Sequence, residues 1–139
     1  MSEEAGAGAG DRGTLLVVCR ANLIRSPLAA ALLRDGLLTA GGPGHDVASA
    51  GLHAVEGTRP DPDVLAVGRE RGLDLHDHVA QRASAARVAA ASLVLTMTEE
   101  QRSGVVRLAP GLTGRTFTLL ELVRLVTAGG VPPRTSDGP

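Results

Sequence analysis

Cysteine is nearly missing from this chain: Cys19 is the single one in 139 residues. One thiol excludes an internal disulfide and a zinc site built on several cysteines, and nothing else points to a metal or a cofactor. Aromatic side chains are scarce too, with one Phe and neither Tyr nor Trp. The core must therefore be assembled from Leu, Val, Ala and Ile. Charge of one sign is also lacking. A formal net charge of −1 offers no broad basic field to nucleic acid. No apolar run approaches the ~18 residues of a membrane-crossing helix. The N-terminus, MSEEAGAGAGDRG, has no apolar stretch of the kind a secretion signal needs. The expectation from these absences is a cytoplasmic protein with no membrane or nucleic-acid partner, and the length suffices for one domain with a real core.

What is present is an alternation of short apolar runs and longer helical stretches. Thr14–Val18 (TLLVV) is a continuous apolar run of the type found in strands buried on both faces. Pro27–Leu38 is rich in Ala and Leu and predicts a helix, with Ser26 as its N-cap and Pro27 in its first position. Asp46–Gly51 reads as a second strand, and Asp61–Arg71 as a helix ended by Gly72. Ala91–Met97 predicts a third strand and Thr98–Leu108 a helix with acids in its first turn. Thr116-Phe117 predicts a last short strand and Thr118–Val126 a last helix. The expected fold is α/β, a three-layer arrangement of a parallel four-stranded sheet flanked by helices. Residues 14–128 are expected to form the domain, with a flexible tail at 1–13 and a loose one at 129–139.

The loop from Cys19 to Ser26 joins the first strand to the first helix, and in such folds ligands sit beyond the carboxyl ends of the strands. Backbone N–H groups of Arg20, Ala21, Asn22, Leu23, Ile24 and Arg25 can converge with the helix start on a tetrahedral oxyanion. Arg25 can add a planar, two-pronged contact to the same anion. A thiol at the base of the loop feels both the helix dipole and the arginine, and both favour the thiolate. Beneath a bound phosphoryl group that thiolate is an in-line nucleophile. A lone Cys after a buried strand is more often a small core residue. The C-x5-R-S-P form between a buried strand and a helix tips the reading towards function.

The stretch VVCRANLIRSPLAAALL resembles the signature loop of the low-molecular-weight protein tyrosine phosphatases, V-C-x-G-N-x-C-R-S-P-x-A-E. SAG at Ser49–Gly51, GLDLHDHVAQRAS at Gly72–Ser84 and SLVLTMTEEQRSGVVRLAP further along resemble later segments of the same family, so the likeness spans most of Thr14–Val126. The resemblance implies that Cys19 is the nucleophile, Arg25 the phosphate-binding arginine and Ser26 the hydroxyl that stabilises the thiolate. It implies that Asn22 is the loop asparagine, held by Ser49 and His78. His76 has no counterpart and reads as surface.

The chain departs from the family pattern in three places. Ala21 stands where the family has Gly, which costs about 1 kcal/mol if that position needs a positive φ. Ile24 stands where many members carry a second cysteine that can protect the nucleophile by a reversible disulfide. The family's general acid, an Asp-Pro pair near the C-terminus, has no evident counterpart. Asp61-Pro62 reads as a helix entry, and Asp137, the one late candidate, is followed by Gly. The chain ends where the family continues, so the expectation is either a shortened form or weakened acid catalysis.

The expected function is hydrolysis of a phosphate monoester, on a phosphorylated protein or a small aryl ester, through a phosphocysteine intermediate. The expected ligands are phosphate, sulfate or arsenate. Two alternatives stand beside it: a single-cysteine arsenate reductase dependent on a small thiol, and a non-catalytic anion- or partner-binding module on the same fold.

Overall fold

The computed structural model describes residues 13–39 and 46–128. The strand β1, Thr14–Cys19, lies at the centre, with its last four residues buried. It is flanked by β2, Asp46–Gly51, on one side and β3, Leu93–Thr96, on the other, and β4, Thr116–Thr118, forms the far edge. All three pairings are parallel, in the order β2-β1-β3-β4. Side chains alternate across β1. Leu16 and Val18 face one layer, together with Ala50, Val88, Val94, Val105 and Leu112. Val17 faces the other, with Ala30, Val47 and the half-buried Leu15 and Leu33. This period of two makes both faces of the central strand apolar, which is why its sequence shows a continuous run and no alternation.

Among the described residues five α-helices cover the sheet. The first, α1, runs Arg25–Thr39 and packs Ala30 on β1 and β2. The second, α2, is Pro62–Glu70, and its Val64 joins Ala31, Leu73 and Leu75 in a small side cluster. On the opposite face lie α3, Ala85–Ala89, and α4, Glu99–Leu108, followed by a 3-10 turn at Pro110–Arg115. The last, α5, is Leu119–Thr127. Helices α4 and α5 each begin with a reciprocal cap, Thr98 with Gln101 and Thr118 with Glu121. In both, the hydroxyl accepts the third residue's N–H and that residue's side chain accepts the cap's own N–H. The expected three-layer α/β architecture is the one observed.

Some boundaries differ from expectation for local reasons. Helix α1 begins at Arg25, and the N–H of Leu28 donates to the carbonyl of Ile24. Ser26 is thus inside the helix and not its cap, because its hydroxyl is engaged elsewhere, by Cys19 and Asn22. Helix α3 was not expected; it is five residues long and depends on Ser84, whose hydroxyl accepts the N–H of Arg87. The tails expected at 1–13 and 129–139 lie outside the described residues, Gly13 apart. Among the described residues no helix is long and apolar enough to cross a membrane.

The chain leaves β1 towards β2 on one side and later crosses back to β3 on the other. The carboxyl end of β1 is therefore the point where successive connections diverge, and a crevice opens there.

Candidate active site

Cys19 is the last residue of β1 and is buried. Its Sγ lies 3.0 Å from Oγ of Ser26 and 3.3 Å from the backbone N of Asn22. Ser26, fully buried in the first turn of α1, accepts a hydrogen bond from Asn22 Nδ2 at 2.9 Å. The serine proton then has two acceptors in reach, Sγ and the Ala50 carbonyl oxygen 3.4 Å away. With Sγ as a thiolate, the hydroxyl turns to donate to sulfur. With Sγ as a thiol, S–H donates to Oγ and the hydroxyl turns to Ala50. A single rotor thus serves both protonation states of the cysteine.

Asn22 is the centre of the arrangement. It is fully buried, and its φ of 60° is the single positive value among the described non-glycine residues. Asparagine tolerates this left-handed conformation better than most residues, and here five contacts hold it. Nδ2 donates to Ser26 and to Ser49 Oγ, each at 2.9 Å. Oδ1 accepts the N–H of Gln81 at 2.8 Å. The backbone N faces Sγ, and the backbone O accepts from His78 Nε2 at 2.8 Å. A carbonyl can only accept, so that contact requires the Nε2-protonated ring. The structure thus brings Asn22, Ser49 and His78 together beneath the loop.

The backbone strain anticipated at Ala21 is absent: its φ is not positive, and the left-handed position is Asn22. Ala21 is exposed and carries no such cost. The close approach falls instead on Gly51, at the end of β2. A Cβ there would stand 2.6 Å from the carbonyl oxygen of Arg20 and 2.8 Å from the backbone of Ala21 and Asn22. Gly51 also receives and gives backbone bonds to the segment behind it, its N–H to Gln81 at 2.9 Å and its carbonyl to Ala83 at 2.8 Å. The N–H groups of Leu52 and His53 hold the carbonyls of Cys19 and Arg20 at 3.0 and 2.8 Å. Gly51 and Gln81 were not singled out as site residues. Both lie inside segments whose family likeness is visible, SAG and HVAQRAS.

Beyond Asn22, the backbone N–H groups of Ala21, Leu23, Ile24, Arg25 and Ser26 have no acceptor among the described residues. They follow one another into the start of α1, where unpaired N–H groups and the helix dipole favour an anion. Arg25 is exposed, and no described group pairs with its guanidinium. Ile24 is also exposed. Asp61 precedes α2 as its N-cap residue, with Pro62 following, and makes no side-chain cap bond. His76 is exposed, with its N–H on Asp74. Asp137 lies outside the described residues. At the outer edge, Glu56 accepts both the Arg82 N–H and the Arg87 side chain at 2.7 Å, tying the loop after β2 to the segment behind it. The Arg82 N–H foremost, then Arg87, holds its carboxyl below the usual range.

The family model described as low molecular weight phosphotyrosine protein phosphatase matches residues 14–132. The chain belongs to that family. A probable low molecular weight protein-tyrosine-phosphatase, EpsP of Ralstonia nicotianae, is 39% identical over 109 residues, 78% of this chain and 72% of its own. A protein-arginine-phosphatase of Geobacillus stearothermophilus is 35% identical over 109 residues, covering 78% and 70%. The crystal structure of Erwinia amylovora tyrosine phosphatase AmsI superposes with a TM-score of 0.67 at 37% identity, covering 74% of this chain and 65% of that one. Membership in this phosphatase family supports the cysteine-dependent phosphatase reading over a non-catalytic module, and the arsenate reductase reading is not favoured.

Proposed function

We propose that this protein hydrolyses phosphate monoesters, with phosphotyrosine or a related aryl phosphate as substrate, through a phosphocysteine intermediate on Cys19. The observation that carries the proposal is the set of acceptor-free N–H groups of Ala21 and of Leu23 to Ser26, in the loop that follows a buried thiol. The phosphoryl oxygens take those N–H bonds and the fork of Arg25. The thiolate attacks phosphorus, forming the S–P bond as the ester P–O bond breaks, and the leaving oxygen gains a proton. Water then attacks the phosphocysteine, releasing inorganic phosphate and regenerating the thiol. Ser26 and the Asn22 N–H stabilise sulfur as the departing group, and Ser49, His78 and Gln81 keep the loop in shape.

Protonation of the leaving group has no dedicated acid in this reading: Asp61 stands at the entry of α2 as its N-cap residue, with a side chain that makes no cap bond. Activated aryl phosphates are therefore the better substrates, and turnover falls steeply as the leaving group becomes more basic. Lack of acid assistance typically costs ~10²–10⁴-fold. A reducing compartment such as the cytoplasm suits a nucleophile whose loop neighbour is Ile24 and which has no second cysteine to shield it.

The test is a burst assay with an activated aryl phosphate. The parent protein should release one equivalent rapidly and then turn over. Cys19→Ser should retain its fold and lose both phases, and equal turnover in the two proteins would end the proposal. A nearly flat dependence on leaving-group basicity in the parent, made steep by Asp137→Asn, would show that Asp137 supplies the proton. Peroxide should inactivate the enzyme in a way that dithiothreitol does not reverse; full recovery after prolonged exposure would contradict an unshielded thiol.

A further inference from the structure

A cavity of about 360 Å³ opens directly beside the phosphate loop, on the side of Arg20. One wall is Arg20 itself, the residue after the nucleophile, so the cavity begins a single residue from the reacting thiol. The others are His53 after β2, Arg82, and Arg107 on α4. Their backbones are fixed: the His53 N–H holds the Arg20 carbonyl at 2.8 Å, and the Ala83 N–H holds Gly51 at 2.8 Å. Helix α4 approaches through Gly104, where a Cβ would meet Leu52 Cδ1 at 2.9 Å, so the apolar floor is close-packed.

Three arginines line this space, from three different segments; none forms a direct ion pair with a described residue, and Glu56 acts on Arg82 from the rim. Glu100 is the one carboxylate on the lining, and it too is unpaired there. Three arginines against one glutamate leave the cavity positive. Like charges gathered together raise the local potential and favour an anionic guest, Glu56 offsetting the charge in part at Arg82 alone. The volume lies within the range of pockets that hold small ligand groups. Successive residues of an extended peptide advance about 3.3–3.6 Å. A peptide whose phosphorylated side chain sits on the loop can therefore bring the side chain of a residue one or two positions away to this cavity.

We infer that the cavity is a second anion subsite, which takes the carboxylate of an Asp or Glu flanking the phosphorylated residue of a protein substrate. The inference rests on the phosphatase reading and deepens it: the loop recognises the phosphoryl group, and Arg20, Arg82 and Arg107 select acidic sequence around it. The aliphatic stems of the arginines and Leu52 give the peptide an apolar surface to lie on.

The test compares three phosphotyrosine peptides, identical except for flanking Glu, Ala or Lys, with an aryl phosphate whose leaving group bears no charged substituent as the reference. The parent should process the Glu peptide about five- to tenfold better than the Ala peptide in kcat/KM, and the Lys peptide worse, with the spread narrowing as salt rises. Arg82→Ala with Arg107→Ala should bring the Glu and Ala peptides together and leave turnover of the aryl phosphate unchanged. Equal kcat/KM for the Glu and Ala peptides in the parent would overturn the subsite, as would a preference that survives the double variant. If the parent does not turn over the aryl phosphate, the phosphatase reading fails separately. Calorimetric binding of the same peptides then decides the subsite, with tighter binding of the Glu peptide supporting it and equal binding overturning it.

Discussion

The carboxyl end of β1 and the last helix, α5, treat the same problem in opposite ways. Around Cys19 the chain buries polar atoms and satisfies them: every polar group of Asn22 has a partner, drawn from Cys19, Ser26, Ser49, His78 and Gln81. On α5 it exposes apolar ones. Leu120, Val123, Leu125 and Val126 are between 39% and 57% exposed, and the helix has no buried residue. A buried polar cluster tolerates little, because removing one member leaves the others desolvated and unpaired. An exposed apolar side chain has little to lose. The site end of the sheet should therefore be brittle and the β4 edge permissive.

The sharpest test of that contrast is Gly51→Val. Its Cβ falls against the carbonyl oxygen of Arg20, backbone that cannot swing aside. Overpacking of this kind typically costs 1–3 kcal/mol, roughly, and displacing the loop by an ångström costs on the order of 10²-fold in rate. Aryl phosphate kinetics beside a thermal melt measure both, and unchanged kcat/KM would show that the approach is not needed.

Next come Asn22→Ala and Asn22→Gly. Both strip the side-chain bonds and strand Ser26, Ser49 and the Gln81 N–H, at about 1–3 kcal/mol per unsatisfied buried group. The glycine variant escapes the strain of a φ of 60°, so it should be the more stable of the two by about 1–2 kcal/mol. Equal denaturation midpoints would mean that the strain is not borne at this residue.

At the permissive end, Leu120→Glu or Val123→Glu should change stability by no more than about 0.5 kcal/mol, as exposed substitutions usually do. A loss several times larger would show that this face is covered in solution, and sedimentation would then report by how much the assembly changes.

The smallest effect belongs to the rim. Glu56 has its carboxyl pKa lowered by the Arg82 N–H and the Arg87 side chain. Its contribution is fully present above the ordinary carboxylate value and is lost as pH falls through the lowered one. Both partners are exposed, so the contribution is slight. Glu56→Gln should leave stability at neutral pH nearly unchanged and flatten the acid limb of the melting profile. A change in the alkaline limb would contradict the assignment.

These predictions also mark where the sequence was legible. The loop could be read because Cys19, Arg25, Ser26 and Pro27 stand between an apolar run and an Ala/Leu stretch, a junction with one structural meaning. All four strands were visible, since buried β-structure writes itself as short apolar runs. Helix α3 and the Pro110–Arg115 turn were not, because five or six residues hold too little of a helical period to register. Gly51 was passed over for a different reason: its need for glycine comes from the carbonyl of Arg20, which another strand delivers. Gln81 was missed because its main contact to Asn22 uses a backbone N–H, a group that every residue but proline carries. Arg20, Arg82 and Arg107 look like scattered surface charge until the fold gathers them.

The partners of Asn22 also set an order of events during folding. Ser49 lies 27 residues on, His78 56 and Gln81 59. Contacts closed over such separations are slow to form. A growing chain that has made only its first strand and helix holds the cysteine, the serine and the arginine, but nothing yet clamps the asparagine into its left-handed turn. The contacts that hold the loop are complete only when the segment around Gln81 docks on the end of β2. On the proposed reading, catalytic competence is expected late in folding, and the first turnover by a refolding sample would time the arrival of that segment.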